Sequence, residues 1–139
     1  MRILLFDDNG VLRALLRRLL LKQGWEVLTF PDPVACPLYH CSGCACELAE
    51  VCADAIVTDF DMPNMDGLCF VQQLLAKGCK VKHVALLSET RNATALNHAG
   101  QLGFKVFSKT DGIPALLEWL RQVEGQLETG RQLTRWAEA

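Results

Sequence analysis

Residues 55–67 read AIVTDFDMPNMDG, and this stretch decides the fold class. It begins with a short apolar run, residues 55–58, which has no helical period and therefore predicts a buried β-strand. Two acids, Asp59 and Asp61, follow directly, and the Asp66-Gly67 pair predicts a turn. Apolar residues at helical spacing come next, so the segment predicts a strand, an acidic loop and a helix.

The same pattern continues on both sides of this stretch. Apolar runs predict four further strands, at residues 2–6, 26–30, 84–87 and 105–107. The first helix should be capped by Asn9 and ended by Gly24, with Arg13 among the basic residues that face water. We therefore predict an α/β fold, a doubly wound (βα)5 domain whose five-stranded parallel sheet is covered by helices on both faces.

Size and composition restrict the class of protein. The chain has 139 residues, half of them hydrophobic, which suits one ordinary domain core, and its net charge of −2 gives no reason to expect nucleic acid or a membrane as partner. No apolar run approaches the roughly 18–20 residues that span a bilayer, and residues 1–8 do not read as a signal peptide. We expect a cytoplasmic protein whose seven cysteines are reduced, redox-active or metal-bound.

Acidic residues follow two of the predicted strands. Asp7 and Asp8 come after the first strand, and Asp59 and Asp61 come after the third. Because reactive groups of parallel sheets gather at the carboxyl ends of the strands, Asp7, Asp8 and Asp59 should converge on one edge. Clustered carboxylates repel one another, and Mg²⁺ is the cation that best relieves this repulsion.

Ser88 and Lys109 fall at equivalent places after the fourth and fifth strands. A hydroxyl and an ammonium can both bind phosphoryl oxygens, so the set predicts phosphoryl transfer to a carboxylate nucleophile. Taken singly, each residue has an ordinary explanation as a helix cap, a helix N-terminal acid or a surface charge. The joint pattern at four strand ends favours a site.

The sequence resembles the response-regulator receiver family over residues 1 to about 124. Residues 56–67 carry the closest likeness, with Met-Pro three and four positions after Asp59 and then an acid-glycine turn. Asp7-Asp8, Ser88 and Lys109 complete the family's signature. The resemblance implies a flavodoxin-like receiver fold and Mg²⁺-dependent transfer from a phosphohistidine of a histidine kinase or phosphotransfer protein.

The resemblance also implies a role for each residue of the site. Asp59 would be the acceptor, and Asp8 and Asp59 would bind Mg²⁺ directly, Asp7 mainly through water. The backbone carbonyl of Asp61 would be another ligand. Ser88 and Lys109 would bind the phosphoryl oxygens. Their movement would change the surface of the fourth and fifth units, where a homodimer could form. We expect no enzyme beyond Mg²⁺-dependent self-phosphorylation and self-dephosphorylation, and a downstream partner of unknown identity.

Three positions depart from the family pattern. Thr110 stands where proline usually follows the lysine, and Val106 stands where an aromatic switch residue is usual. Glu89 replaces the small residue after the hydroxyl. We expect the Glu89 carboxylate to crowd or repel an incoming phosphoryl donor.

A cysteine-rich insert at residues 31–53 replaces the expected second helix. Its spacing, C-x4-C-x2-C-x-C-x5-C, offers more than the four ligands of a closed tetrahedral zinc site. The preferred zinc quartet is Cys36, Cys44, Cys46 and Cys52. A redox or iron–sulfur cluster and simple packing are the alternatives. Residues 125–139 should form a tail or helix extension, with no output domain.

Parts of the sequence fit two other functions. Asp59-Phe60-Asp61 has the D-x-D form of aspartate-nucleophile phosphatases, but in that chemistry the motif normally ends the first strand. The second alternative is a receiver-like interaction module that is not phosphorylated and senses metal or redox state through its cysteines. Phosphate incorporation into wild type but not Asp59→Asn would distinguish the receiver from this module.

Overall fold

The computed structural model describes residues 1–32, 50–51, 53–62, 66–78, 81–89, 93–110, 112–127 and 132–133. Strands and helices alternate through most of this range. In chain order the elements are β1 (Arg2–Phe6), α1 (Gly10–Lys22), β2 (Glu26–Phe30), β3 (Glu50–Val51), β4 (Ala55–Asp59), α2 (Gly67–Ala76), β5 (His83–Ser88), α3 (Ala93–Gln101), β6 (Lys105–Ser108), α4 (Ile113–Gln126) and β7 (Gln132–Leu133).

The main sheet has five strands in the order β2-β1-β4-β5-β6, and each neighbouring pair is parallel. Counting only the strands of this sheet, the order is 2-1-3-4-5, which is the flavodoxin-like order. The predicted α/β fold is therefore confirmed, and the predicted strands agree with the observed ones to within one residue at either end. Because β1 and β4 are neighbours, the residues that follow them meet at one edge.

Hydrophobic side chains on the two faces of the sheet form two cores. Leu4 and Phe6 of β1 face one core, which α2 covers with Phe70. Ile3 and Leu5 of the same strand face the other core, which α1 and α4 cover. The alternation follows from the two-residue period of a strand, and burial on both faces explains why β1 is apolar throughout.

Side chains cap the two helices that begin beside the acidic edge. Asn9 accepts hydrogen bonds of 3.1 Å from the backbone N–H groups of Val11 and Leu12, which confirms the predicted cap of α1. Asp66 accepts a 2.6 Å bond from the N–H of Cys69 and caps α2. Among the described helices, none combines the length and apolarity needed to cross a bilayer.

A separate pair of short strands was not predicted. β3 lies inside the range assigned to the cysteine-rich insert, β7 lies in the C-terminal tail, and the two pair in parallel. Two-residue strands carry no periodicity, so the sequence pattern could not indicate them. The predicted zinc ligands Cys36, Cys44, Cys46 and Cys52 lie outside the described residues.

Candidate functional site

Three aspartates meet at the carboxyl edge of the sheet. Asp59 is the last residue of β4, and Asp7 and Asp8 follow β1. Carboxylate oxygens of the three residues lie within 4.8 Å of one another. Asp7 and Asp59 are almost completely buried, with 0% and 2% of their surface exposed, whereas Asp8 is exposed. The predicted convergence of these carboxylates is thus observed.

Lys109 joins the cluster from the edge strand β6. Its ammonium nitrogen lies 2.8 Å from Asp59 Oδ2 and 3.4 Å from Asp7 Oδ2, and only 8% of its side chain is exposed. The backbone N–H of Lys109 donates a 3.2 Å hydrogen bond to the carbonyl of Ser88 at the end of β5. One cation is therefore held between two buried carboxylates.

Burial and neighbouring charges change the acidity of this pair. Burial raises the pKa of Asp59 from 3.8 to about 6, and the hydrogen bond from Lys109 limits the rise. Burial lowers the pKa of Lys109, but its contacts with Asp59 and Asp7 outweigh burial, so the pKa of Lys109 ends above its ordinary value. At neutral pH, above its pKa, Asp59 is therefore mostly a carboxylate.

Backbone contacts fix the direction of the carboxylates. Asp59 Oδ1 accepts a 3.1 Å bond from the N–H of Asp61, and Asp7 Oδ1 accepts a 2.8 Å bond from the N–H of Asn9. The guanidinium of Arg13 donates a 2.7 Å bond to the carbonyl of Asp7. Arg13 is half-buried, so the expectation that it faces water holds only for part of its side chain. The sequence did offer a signal for this contact, because Arg13 lies one turn into α1 and close to Asp7 and Asp8.

Gly67 packs directly against the end of β4, the strand that carries Asp59. Its N–H donates a 2.8 Å bond to the carbonyl of Phe60, and a Cβ added to it would overlap the carbonyl oxygen of Asp59. Only glycine fits this close approach of α2 to the backbone of Asp59. Gly67 is thus part of the support of the site as well as of a turn.

A cleft of about 250 Å³ opens over these groups. Its lining residues are Asp8, Asn9, Asp59, Asp61, Glu89 and Lys109. Glu89 is exposed and lines the same cleft as Asp59, and its repulsion of a phosphoryl donor stays a prediction. Ser88 is buried at the adjacent strand end, one residue beyond Leu87, which pairs with Asp59 in the sheet.

The donor set fits a hard divalent cation. Among the described residues, Asp7 Oδ2 is the buried side-chain oxygen that makes no hydrogen bond. Asp7, Asp8 and Asp59 bring three carboxylates together, and Lys109 supplies a single positive charge. Oxygen ligands with excess negative charge suit Mg²⁺, which uses a few carboxylates and retains water.

Comparisons with known proteins agree with this geometry. Residues 3–121 match the sequence model of the response regulator receiver domain. Over 76 residues the chain is 37% identical to protein-glutamate methylesterase/protein-glutamine glutaminase 1 of Anaeromyxobacter dehalogenans, a match that covers 55% of this chain and 20% of that protein. The chain spans between 14% and 38% of the length of the curated relatives it matches.

Two solved structures share the fold at low sequence identity. The receiver domain of the Francisella response regulator 1452 superposes with a TM-score of 0.74 at 17% identity, covering 91% of this chain and 98% of that one. The response regulator TrrA of Thermotoga maritima, solved in complex with Mg²⁺-BeF, superposes with a TM-score of 0.67 at 22% identity, covering 88% and 97%. With the family match over residues 3–121, the chain belongs to the response regulator receiver domain family of two-component signalling.

Proposed function

We propose that Asp59 accepts a phosphoryl group from the phosphohistidine of a histidine kinase or phosphotransfer protein, and that the phosphorylated domain signals by binding another protein. The observation that carries the proposal is the buried Asp59 carboxylate, held 2.8 Å from Lys109 and clustered with Asp7 and Asp8. Membership of the receiver family supports it.

The proposed transfer uses Asp59 as the nucleophile. A carboxylate oxygen of Asp59 forms the new O–P bond while the P–N bond to the donor imidazole breaks, and the imidazole leaves with the electron pair. Lys109, now paired with Asp59 Oδ2, would bind an oxygen of the arriving phosphoryl group. The Ser88 hydroxyl would bind a second one.

Mg²⁺ is the proposed cofactor of this site. Asp7, Asp8 and Asp59 would hold it, with the backbone carbonyl of Asp61 as a further ligand. Bound there, Mg²⁺ would offset the negative charge of the carboxylates and of the transferring group. The three clustered carboxylates and the buried Asp7 Oδ2 support this assignment, as does the Mg²⁺-BeF bound by the related fold of TrrA.

Phosphorylation would change the structure at the ends of β5 and β6. Ser88 ends β5 and Lys109 follows β6, so movement of either side chain towards a phosphoryl group would alter the edge of the sheet. We propose this edge, with α3 and α4, as the surface that a partner or a second copy reads. A cytoplasmic location belongs to the same proposal, since cytoplasmic kinase domains would be the donors.

Phosphate incorporation tests the proposal directly. Purified protein is incubated with acetyl phosphate and MgCl₂, and the intact mass is measured for wild type and Asp59→Asn, with EDTA as the metal-free control. We expect phosphate on wild type in Mg²⁺ alone. Phosphate on neither protein, even when a phosphorylated histidine phosphotransfer domain is supplied, would favour the interaction module that senses metal or redox state.

Zinc in the cysteine-rich insert is a separate proposal that depends on the sequence spacing. Elemental analysis of anaerobically purified protein should find about one zinc per chain. Cys44→Ser should lose it, whereas Cys69→Ser, a cysteine in α2 outside the insert, should retain it. Equal zinc content in both variants, or none in wild type, would contradict the proposed quartet.

A further inference from the structure

Lys109 depends on its backbone for its place in the cleft. Among the described residues that line the cleft it is the single cation, and its ammonium must reach Asp59 across the intervening strand β5. Because this four-carbon side chain is flexible, the position of its Cα helps to set where the ammonium can lie. The Lys109 backbone is bonded to the carbonyl of Ser88, and the described residues beside it, Ser108 and Thr110, are bonded to each other.

Hydrogen bonds to Ser108 connect the residues on either side of Lys109. The hydroxyls of Ser108 and Thr110 lie 2.9 Å apart, and the backbone N–H of Thr110 donates a 3.2 Å bond to Ser108 Oγ. The N–H of Gly112 donates a 2.9 Å bond to the carbonyl of Ser108. Lys109 thus sits between two residues whose side chains are bonded to each other.

Gly112 packs closely against the backbone of Ser108. A Cβ on Gly112 would lie 2.5 Å from the backbone nitrogen and 2.6 Å from the carbonyl oxygen of Ser108. Gly112 therefore leaves no room for a side chain beside Ser108. Proline, which the family pattern leads us to expect after the lysine, has no N–H and could not donate to Ser108 Oγ.

We propose that Ser108 and Thr110 are positioning residues for phosphoryl transfer, which hold the Lys109 ammonium on Asp59 through their paired hydroxyls. Neither residue is among those that line the cleft. The inference rests on the proposed function of Asp59. The two hydrogen bonds to Ser108 would restrict the backbone of Thr110, as a proline ring would do at the same position.

The test compares hydroxyl removal with hydroxyl retention. Thr110→Val keeps the shape of the side chain and loses the hydroxyl, Ser108→Ala loses the partner, and Thr110→Ser keeps the bond. The rate of Asp59 phosphorylation by acetyl phosphate in MgCl₂ should fall about two- to tenfold in Thr110→Val, as expected for one lost hydrogen bond. It should fall at least as far in Ser108→Ala, which loses both bonds to Ser108 Oγ, and stay within about twofold of wild type in Thr110→Ser. Thr29→Val, on the opposite edge strand β2, is the matched control.

The affinity for Mg²⁺ distinguishes a misplaced Lys109 from partial unfolding of the variant. Lys109 competes with a cation for Asp59, so a loosened Lys109 should leave the Mg²⁺ affinity of Thr110→Val, measured by calorimetry, equal to or above that of wild type. A partly unfolded variant would instead lose Mg²⁺ affinity and phosphorylation together. Wild-type rates in both Thr110→Val and Ser108→Ala would overturn the proposal, and so would a Thr110→Ser rate as low as that of Thr110→Val.

Failure of the proposed function gives a different result. If wild type takes up no phosphate, the proposed function is wrong, and the position of Lys109 is then followed by the NMR signal of its ammonium group. In that case, a shift of the Lys109 ammonium signal or faster exchange of its protons with water in Thr110→Val still supports positioning. Thr110→Ser should restore the wild-type signal. An unchanged Lys109 signal in Thr110→Val refutes it.

Discussion

Lys109 Nζ lies 2.8 Å from Asp59 Oδ2 although strand β5 separates the strands that carry the two residues. Neighbouring strands are about 4.8 Å apart, so the two side chains and the contact between them together span roughly 10 Å of the sheet edge. The same ammonium is 3.4 Å from Asp7, on the far side of β4. One side chain therefore connects the ends of β1, β4 and β6, and its chemistry depends on the charge of Asp59.

The stability of the metal-free protein should fall as pH rises from about 4 to about 6. Burial raises the pKa of Asp59 from 3.8 to about 6, so between these values the folded protein binds a proton that the unfolded chain has released. Removing that proton costs the folded state free energy. Urea unfolding in EDTA across this range measures the slope. Asp59→Asn should lack this part of the slope, and equal slopes in the two proteins would contradict the assignment.

Asp59→Asn should be more stable than wild type in EDTA at pH 7.5. An ionised Asp59 costs up to about 3 kcal/mol for a pKa rise of about two units, and the loss of its hydrogen bonds to Lys109 and Asp61 offsets part of the gain. We expect a net gain of about 1–2 kcal/mol in the free energy of unfolding. Saturating Mg²⁺ should reduce the difference in the free energy of unfolding between the two proteins, because wild type should bind the cation more tightly than Asp59→Asn. A less stable Asp59→Asn in EDTA would show that the contact with Lys109 dominates.

Glu89→Gln should speed phosphorylation by acetyl phosphate. The Glu89 side chain lines the cleft with the carboxylates of Asp8, Asp59 and Asp61, and a dianionic donor must approach against this charge. Removing one exposed charge should raise the rate about two- to fivefold at low salt and less at high salt. Glu118→Gln on the surface of α4 is the control for altered net charge. An unchanged or slower rate in Glu89→Gln would refute the repulsion.

Glu124→Ala should destabilise the fold without altering phosphorylation. Trp25 Nε1 donates a 2.6 Å hydrogen bond to Glu124 Oε2, and Trp25 is 97% buried against the core that α1 and α4 share. Truncation leaves this N–H without its partner and should cost about 1–3 kcal/mol in urea unfolding. Glu118→Ala, which loses an exposed pair with Arg121, should cost less than about 0.5 kcal/mol. Similar losses in the two variants would argue against a specific role for the Trp25 bond.

Hydrophobic pattern and strand-end chemistry accounted for the main sheet and for the meeting of Asp7, Asp8, Asp59 and Lys109. Both rest on local signals, because apolar runs fix the strands and parallel order brings their carboxyl ends together. The pairing of β3 with β7 could not be predicted in this way, since it depends on a tertiary contact between two-residue segments. The bond of Arg13 to Asp7 and that of Ser108 to Thr110 depend on rotamers, which sequence spacing does not specify.

The close approach of Gly67 to Asp59 has a mechanical consequence. The first residue of α2 rests on the carbonyl of the acceptor, with no side chain between them to yield. A shift of the Asp59 backbone would therefore move the start of α2, and a shift of α2 would move Asp59. A protein that binds the N-terminal turn of α2 would thereby change the reactivity of Asp59, the proposed acceptor, without entering the cleft.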